Sequence, residues 1–413
     1  MKILQLTKKL PFPLTSGEAW AVTALAKGLK AGGAEIDLFT LYPNQKIKVS
    51  NEDEEVRQKL LSRTVYSEVE IVNTTISTTK RGALENLVTK ASYHADRFDH
   101  QVVKEALASW MQRHRYQAVL VETIYMMHYV DTIKKLNPDI KVLLRAHNVE
   151  HVIWERYAEG LGTVKSWYFK EQSKRLKAWE SKVMAEVDLI LPVSEHDASV
   201  IRDLLHKNKS NADLLVAPIG MEARDHASQS SQKEVSSSIT LGYIGLLDWR
   251  PNVEGLQWFL REVWPVIIDK YPMLMLKIAG KNGGDLKLPN VKGVQLVGEV
   301  EDSDRFLRSV DVMIAPLLSG SGTRVKILQA LRVQVPVICT SLAKEGLLLR
   351  HRQEVLIADT GEEWLEAIAS LIDEETERSS FREDMIVRGK QYLVEHHDSI
   401  KIAQSIMAVI SDL

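Results

Sequence analysis

The stretch Ala315-Pro-Leu-Leu-Ser-Gly-Ser-Gly-Thr-Arg-Val-Lys-Ile-Leu-Gln-Ala-Leu331 is the part of the chain that decides its expected fold. An apolar strand ends at Ala315, a glycine–serine loop follows, and a helix with an apolar face is predicted to begin near Thr323. Strand–loop–helix units of this kind build parallel α/β sheets, in which loops at the carboxyl ends of strands hold ligands. The stretch therefore predicts an α/β domain with a ligand-binding loop.

The loop and the first turn of this helix have the composition of an anion site. Glycines let the backbone approach a ligand closely, and the N–H groups of a first helical turn lack partners within the helix. Two cations follow there, and they oppose the helix dipole unless an anion compensates them. The predicted contacts are Gly320, Ser321, Gly322, Thr323, Arg324 and Lys326 for a phosphate, and Gln329 for a hydroxyl group. The alternative is a capped helix whose basic residues only face water.

Short apolar runs alternate with amphipathic segments on both sides of this stretch, which is typical of βαβ units. They form two series, with helices predicted near residues 18–31 and 253–270 and no strong strand in residues 44–100. The predicted strands are 3–6, 35–40, 118–122, 142–144 and 188–193 in the first series, and 239–244, 274–279, 294–297, 312–315 and 335–338 in the second. The fold class predicted is α/β with two Rossmann-like, doubly wound domains.

A serine-rich segment separates the two series. Residues 223–238 are predicted to be a linker between an N-terminal domain at 1–222 and a C-terminal domain at 239–388. Residues 389–413 are helical in pattern and lie beyond the last predicted strand, so this C-terminal helix is free to pack back on the N-terminal domain.

Composition excludes several classes of protein. The chain has 413 residues, with 53 Lys and Arg against 55 Asp and Glu, a net charge of −2, so it lacks the broad positive field of a nucleic-acid-binding protein. Cys339 is the one cysteine, which rules out an internal disulfide and favours a cytoplasmic location. No stretch is apolar enough for a membrane span.

Other candidate ligand residues follow predicted strands of both domains. His147 lies in the stretch 145–151 that directly follows the strand at 142–144. There it would bind a phosphate or sugar oxygen, act as an acid or base, or simply cap local backbone. Gly17 precedes the first helix and offers another cluster of N–H groups. Gly245 and Arg250 lie in the loop after the first strand of the second domain.

These residues together resemble the family 4 retaining glycosyltransferases, and the similarity spans most of the chain. Its strongest pieces are Pro-x-x-x-Gly-x-Gly-x-Arg-x-Lys-x-x-(Glu/Gln)-Ala at 316–330, His-Asn-x-Glu at 147–150 and Val-Ser-Glu at 193–195. The resemblance implies the GT-B fold, in which two Rossmann-like domains face each other across a cleft. It also implies transfer of a sugar, with retention, from a nucleotide-diphosphate-sugar to an acceptor hydroxyl, with no metal and no further cofactor.

The resemblance carries over to individual residues. The loop from Gly320 to Thr323 would lie beside the donor sugar and diphosphate, Arg324 or Lys326 would balance the leaving-group charge, and His147 would contact the donor sugar from the other domain. Gly17 would let the backbone approach the phosphate or the acceptor. Many family members have a Glu pair where this chain has Ser321 and Gln329, and an Arg where it has Leu246, which leaves Arg250 as the substitute.

Two further functions remain as alternatives, a nucleotide-sugar epimerase of the same fold and a non-catalytic homologue that binds nucleotide sugars. The expected partners are a nucleotide-sugar donor and a sugar or lipid-linked glycan acceptor, in polysaccharide or glycan synthesis of bacterial type. Basic and aromatic residues at 80–104 and 165–170 fit a peripheral contact with the inner membrane face. They also fit solvated helices with a buried aromatic face, which is the more common arrangement.

Overall fold

The computed structural model describes residues 1–14, 16–43, 64–76, 86, 92–159, 161–222, 239–281, 291–320, 322–372 and 376–413. The chain divides into two compact units. Unit 1 comprises residues 1–220 and 399–413, and unit 2 comprises residues 221–398. The predicted linker at 223–238 lies outside the described residues. Among those described, no helix has the length and apolar character that crossing a bilayer requires.

Unit 1 is built on a parallel sheet whose seven described strands have the order β3-β2-β1-β4-β5-β6-β7. Its strands are β1 Lys2–Thr7, β2 Glu35–Pro43, β3 Val69–Thr74, β4 Ala118–Glu122, β5 Lys141–Ala146, β6 Leu189–Pro192 and β7 Asp213–Leu214. Its helices are α1 Gly17–Ala31, α2 Tyr93–Asp96, α3 Gln101–Arg113, α4 Val130–Leu136, α5 Glu150–Glu159, α6 Thr163–Met184, α7 Glu195–Asn208 and α14 Ser399–Asp412. A 3₁₀ turn, Ile124–Tyr129, precedes α4.

Both faces of this sheet are covered by helices, which explains why its central strands read as continuous apolar runs. One core contains Leu4, Leu6 and Val121, and the other contains Ile3 and Leu120 on the opposite face. Strand β3 corrects the prediction that residues 44–100 hold no strong strand. It is an edge strand whose sequence Val-Glu-Ile-Val-Asn-Thr mixes apolar and polar side chains, so its signal is weak.

Unit 2 repeats the architecture, with six described parallel strands in the order β10-β9-β8-β11-β12-β13. Its strands are β8 Thr240–Ile244, β9 Met275–Ala279, β10 Val294–Gly298, β11 Val312–Ala315, β12 Val337–Cys339 and β13 Leu356–Ile357. Its helices are α8 Arg250–Trp258, α9 Trp264–Lys270, α10 Ser303–Arg308, α11 Val325–Arg332, α12 Gly361–Ile372 and α13 Thr376–His396. The sheet orders of both units match the two Rossmann-like domains that the sequence predicts.

The helix predicted at 253–270 is interrupted in the structure. Between α8 and α9 the segment Phe259–Val263 has π-helical hydrogen bonding, and Pro265 stands in the first turn of α9. Proline has no N–H to donate to the carbonyl four residues earlier, so the ladder is broken there. Amphipathic periodicity alone does not reveal such a break.

The C-terminal region also differs from the predicted single helix at 389–413. It consists of the second half of α13, which belongs to unit 2, and of α14, which belongs to unit 1. Gly28 of α1 and its C-cap residue Gly32 admit α14 closely. A Cβ at Gly28 would lie 2.2 Å from the carbonyl oxygen of Ser399, and one at Gly32 would lie 2.2 Å from the terminal methyl of Met407. Helix α14 therefore packs on α1.

Candidate functional site

The candidate phosphate site of unit 2 lies where the strand order of its sheet reverses. Strands β8 and β11 are neighbours, but the chain leaves them toward opposite sides of the sheet. This divergence opens a crevice at their carboxyl ends, which is where doubly wound sheets bind ligands. Gly245 follows β8, and the glycine–serine loop follows β11, so the structure brings both predicted segments to this crevice.

Lys326 is held at the crevice by two polar side chains of unit 2. Its Nζ atom donates hydrogen bonds to the Tyr243 hydroxyl and to Asn252 Oδ1, each at 3.0 Å. The ammonium also lies 4.3 Å from the centroid of the Tyr243 ring. Asn252 is itself fixed, because its Nδ2 atom donates to the Leu246 carbonyl at 2.7 Å. Sequence reasoning found Lys326 but missed Tyr243 and Asn252.

The charge on Lys326 is poorly compensated in the protein alone. Burial, with the nearby Arg324 guanidinium as a second cause, lowers the pKa of Lys326 from 10.5 to about 7. Its two hydrogen-bond acceptors are uncharged groups. A bound anion would supply the missing negative charge and favour the protonated form, so the position is suited to a phosphate.

Gly245 has no room for a side chain beside this lysine. A Cβ at position 245 would lie 2.8 Å from Lys326 Nζ, 3.0 Å from Asn252 Nδ2 and 3.1 Å from the Tyr243 hydroxyl oxygen. The predicted role of Gly245 as a ligand contact is not tested by these distances. They show a separate requirement, which is that the glycine leaves space for the ammonium group.

We expect Gly245→Ala to move the Lys326 ammonium and to weaken binding of UDP or GDP about tenfold, the effect of losing one hydrogen bond to a charged group. Isothermal titration calorimetry measures this change. Gly361→Ala is the matched control, since a Cβ there would meet only the Glu262 carbonyl oxygen at 3.7 Å. Unchanged affinity in Gly245→Ala would show that the position of Lys326 does not matter.

The glycine loop has the backbone conformation that its composition predicts. Gly320 and Gly322 have φ of 106° and 81°, in the left-handed region that side chains disfavour. Arg324 is buried and donates a hydrogen bond to the Gly322 carbonyl, so it braces the loop. The buried Thr323 Oγ1 atom has no hydrogen-bond partner in the described part of the chain. Ser321 lies outside the described residues.

Helix α11 begins at Val325, two residues later than predicted, and Arg324 is its N-cap. Arg324 makes no side-chain capping hydrogen bond, and the first turn holds no acidic residue. The Arg324 side chain therefore does not compete with a ligand for the N–H groups of the first turn of α11. Lys326 lies on that same turn. Of the two predicted cations, Lys326 donates to Tyr243 and Asn252 at the crevice, while Arg324 donates to the Gly322 carbonyl.

Two other predicted donor contacts are engaged within unit 2. Arg250 forms an ion pair with Glu254 one turn along α8, and Glu254 Oε2 accepts a hydrogen bond from Ser319 Oγ at 3.0 Å. Arg250 therefore anchors the start of the glycine loop through Glu254. Gln329 Nε2 lies 3.5 Å from Ser303 Oγ, at the beginning of α10. Their proposed contacts with a donor stay predictions.

The second candidate site lies at the carboxyl edge of the unit 1 sheet. His147 follows β5, and its Nε2 atom is 2.6 Å from Oε2 of Glu122, the last residue of β4. Gly17 begins α1, whose N-cap Ser16 accepts a hydrogen bond from Ala19 N at 3.2 Å. The neighbouring Glu18 pairs with Lys8 at 3.3 Å. The structure thus gathers charged groups near His147, of which sequence reasoning missed Glu122.

Glu18 and Glu150 show how this edge is charged. Although burial opposes it, Lys8 and then His147 lower the pKa of Glu18. Burial raises the pKa of Glu150, with Lys8 opposing and Glu180 adding to the rise, and the Tyr125 hydroxyl donates to Glu150 at 2.9 Å. The sequence signal that was available for this charged cluster is a glutamate at the end of an apolar strand or at the start of a helix.

His147 and His151 do not form a metal site with each other. His151 pairs through Nδ1 with Glu180 at 2.6 Å, while His147 pairs through Nε2 with Glu122. Among the described residues, His, Cys, Asp and Glu side chains form no group of three or more that could hold a metal ion.

The predicted membrane-contact segments are only partly described. Within α6, Val164 and Trp167 are 79% and 61% exposed, next to Lys165 and Lys170. Phe169 instead packs against Trp154, with ring centroids 5.5 Å apart. The segment therefore has exposed apolar side chains and a packed aromatic face, and membrane contact stays a prediction.

Residues 238–374, within unit 2, match the family model described as glycosyl transferases group 1. A protein of Klebsiella pneumoniae, described as an uncharacterized 44.6 kDa protein in the cps region, is 26% identical over 307 residues, which cover 71% of this chain and 74% of that protein. The matched segment contains the glycine loop, and the family match agrees with the general class that this loop suggests.

Solved structures resemble the whole chain in fold. Sucrose-phosphate synthase from Thermosynechococcus elongatus has a TM-score of 0.69 at 13% identity, covering 100% of this chain and 99% of that one. HepE of Anabaena, in complex with UDP and glucose, has a TM-score of 0.65 at 13% identity, with both chains covered completely. At these identities the likeness shows the fold, which is the GT-B fold of two parallel-sheet α/β domains.

Proposed function

We propose that this chain is a retaining glycosyltransferase that moves a sugar from a nucleotide-diphosphate-sugar to an acceptor hydroxyl without a metal. The observation that carries the proposal is the Lys326 ammonium, held by Tyr243 and Asn252 beside the first turn of α11 and the glycine loop. It lies within the segment that matches the group 1 glycosyl transferase model. The solved structures with UDP or a UDP-sugar add support for the donor class.

The chemistry follows from the leaving group. Breaking the bond between the sugar carbon and the phosphate oxygen places negative charge on the diphosphate and positive charge on the sugar ring. The Lys326 ammonium and the positive end of the α11 dipole interact more strongly with that developing negative charge than with the intact donor, so they lower the barrier. They provide the positive charge that a metal ion supplies in other transferases.

A same-face displacement needs no carboxylate nucleophile, which agrees with the state of the acidic residue near the glycine loop. Glu254 contacts the loop through Ser319, but it is already engaged by Arg250, so it is a poor candidate for a nucleophile. In the proposed reaction the acceptor oxygen bonds to the sugar carbon as the carbon–phosphate-oxygen bond breaks. The departing phosphate oxygen takes the acceptor proton, and the two products are the glycoside and the nucleoside diphosphate.

The acceptor is proposed to be a sugar or a lipid-linked glycan in polysaccharide synthesis. The support is the description of the Klebsiella relative, which places that protein in a cps region. The polar carboxyl edge of unit 1, with Glu18, Lys8 and His147, offers hydrogen-bonding groups suited to sugar hydroxyls.

A thermal-shift panel of UDP, GDP, UDP-glucose, UDP-N-acetylglucosamine and GDP-mannose tests the proposal, since a ligand that binds only the native state raises its stability. We expect one nucleotide and its sugar to raise the melting temperature, and the same sugar to be transferred with retention to an acceptor extract. Conversion of the nucleotide sugar into an isomer without any acceptor would instead identify an epimerase. No shift with any member would contradict the proposed donor class.

A further inference from the structure

Helices α5 and α6 form a hairpin that projects from the sheet of unit 1. The first turn of α5 is fixed against α6, since the backbone N–H groups of Glu150 and His151 donate to Glu180 at 3.0 and 3.4 Å. From there α6 leads to the amino edge of the sheet, where Asp188 N donates to the Val142 carbonyl at 2.9 Å. The other end of the hairpin therefore extends past the carboxyl edge, by about 15 Å for the ten residues of α5.

Aromatic contacts between the two helices decide which face of α6 is turned outward. The ring of Phe169 packs against Trp154 and Tyr157, with centroid distances of 5.5 and 4.8 Å. His94 of α2 also stacks on Trp154, at 3.7 Å. Trp167 stands two positions before Phe169, which is about 200° around a helix, so its side chain points away from these rings.

The outward face of α6 combines apolar and cationic side chains. Val164 and Trp167 are 79% and 61% exposed. Lys170, Lys174 and Lys177 follow Trp167 by three, seven and ten positions, a spacing that places them on the same face. All three lysines are exposed, and none forms an ion pair with a residue that the structure describes. These five residues are called the α6 patch.

The exposed charge of α6 has one sign. Every exposed charged residue of this helix is a lysine, whereas Glu171 is paired with Arg175 at 3.0 Å and Glu180 is buried. The neighbouring α5 exposes two carboxylates, Glu155 and Glu159, which the lysines outnumber. Since the whole chain has a net charge of −2, this positive charge is a local feature of the hairpin.

We infer that the α6 patch docks on an anionic lipid surface, with Val164 and Trp167 inserted among the headgroups and the three lysines against lipid phosphates. The amphipathic indole ring of tryptophan favours the interface between lipid and water. Lysines close to an anionic leaflet are attracted to it, and exposed apolar side chains gain from leaving water. A nucleic acid would also engage the lysines, but Val164 offers it neither a charge nor a ring for stacking.

Docking through the α6 patch turns the carboxyl edge of the unit 1 sheet toward the bilayer. Gly17 and His147 lie at this edge, and the projection of about 15 Å leaves room there for a polar headgroup. Of the two acceptor classes proposed above, this placement selects the lipid-linked glycan. That selection rests on the proposed glycosyltransferase function, whereas vesicle binding itself does not.

The test is co-sedimentation of the full chain with vesicles of phosphatidylcholine, with and without phosphatidylglycerol, at low and high salt. We expect binding only where phosphatidylglycerol is present, and weaker binding at high salt. Lys170→Gln/Lys174→Gln/Lys177→Gln should bind about 100-fold more weakly, from a factor of about five for each lysine. Val164→Ser/Trp167→Ser should lose about tenfold or more, because less apolar surface leaves water. Binding should shift tryptophan emission to the blue in the wild type but not in Trp167→Phe.

Two control variants remove similar side chains elsewhere. Lys27→Gln/Lys135→Gln/Lys207→Gln changes three exposed lysines on other helices of unit 1, and Val266→Ser/Met273→Ser changes two exposed apolar residues of unit 2. Both should bind vesicles as the wild type does. No wild-type binding at low salt, equal losses in control and patch variants, or tighter binding to a polynucleotide than to the vesicles would overturn the inference.

The patch variants also separate docking from the proposed function. Because the changed side chains are exposed, their melting temperatures and their responses to the nucleotide panel should equal those of the wild type. A panel without a ligand would defeat the proposed function and the choice of acceptor, but it would leave the vesicle result standing. Vesicle binding lost together with the melting transition would show misfolding, and in that case the blue shift of Trp167 in the wild type decides the inference.

Discussion

Replacing Lys326 by Met is expected to lower kcat for sugar transfer by roughly 100-fold or more, the usual effect of removing one charged group that stabilises a transition state. The substitution keeps the length and packing of the side chain but removes the ammonium that Tyr243 and Asn252 hold at the crevice. Affinity for UDP or GDP should fall as well, because the diphosphate loses a charge-assisted hydrogen bond. Steady-state kinetics and calorimetry measure the two effects.

The same substitution should not destabilise the fold. The pKa of Lys326 is lowered from 10.5 to about 7, so the unfolded chain binds more protons than the native one between those two values. Stability of the ligand-free wild type therefore rises with pH across this window, and the cost of a charged Lys326 is greatest below pH 7. Lys326→Met lacks that cost, so we expect its melting temperature below pH 7 to equal or exceed that of the wild type.

The lowered pKa of Lys326 also predicts the direction in which diphosphate affinity changes with pH. Above pH 7 the Lys326 amine of the free protein loses its proton, so the affinity for a diphosphate should decline as pH rises, and this decline should be absent in Lys326→Met. Lys270→Met is the control, since it removes an exposed lysine from the end of α9, just before the amino end of β9. A Lys326→Met enzyme with wild-type turnover would refute the assigned site.

Replacing Arg145 by Met is expected to destabilise unit 1 by about 3–5 kcal/mol, the usual cost of leaving a buried charge without its partner. Arg145 and Glu122 are both completely buried and stand opposite each other on β5 and β4. Without the guanidinium, Glu122 would face the interior with only Gln5 and His147 as partners. Urea unfolding measures the loss, and hydrogen exchange of β4 and β5 assigns it to unit 1.

The double variant Glu122→Gln/Arg145→Met should recover most of that stability, because it removes both charges and leaves neutral side chains of similar size. The difference between the double variant and the sum of the single ones gives the coupling free energy of the pair. A coupling near zero would mean that Arg145 does not compensate Glu122.

Much of the fold was predictable because it depends on local pattern. Apolar runs such as Ala118 to Val121 and the loop–helix boundary near Thr323 carry their own signals, and their order along the chain implies parallel sheets. Short edge strands such as β7 and β13, of two residues each, were not predictable. Their pairing depends on neighbouring strands and not on their own residues.

The candidate site was likewise predictable in part from the sequence. Lys326, Arg324 and the glycines Gly320 and Gly322 belong to one stretch, so the sequence by itself predicted an anion site there. It could not show that Arg324 braces the loop, since that depends on the path of the backbone.

The sequence thus determined the fold class, the two-unit organisation and the place of the glycine loop, because each follows from residues close together in the chain. Only the tertiary structure decided which side chains hold Lys326 and His147. Tyr243 reaches Lys326 from 83 positions away, and Glu122 reaches His147 from 25. Such pairs form because parallel strands bring their carboxyl ends to one edge of a sheet, a proximity that no spacing along the chain encodes.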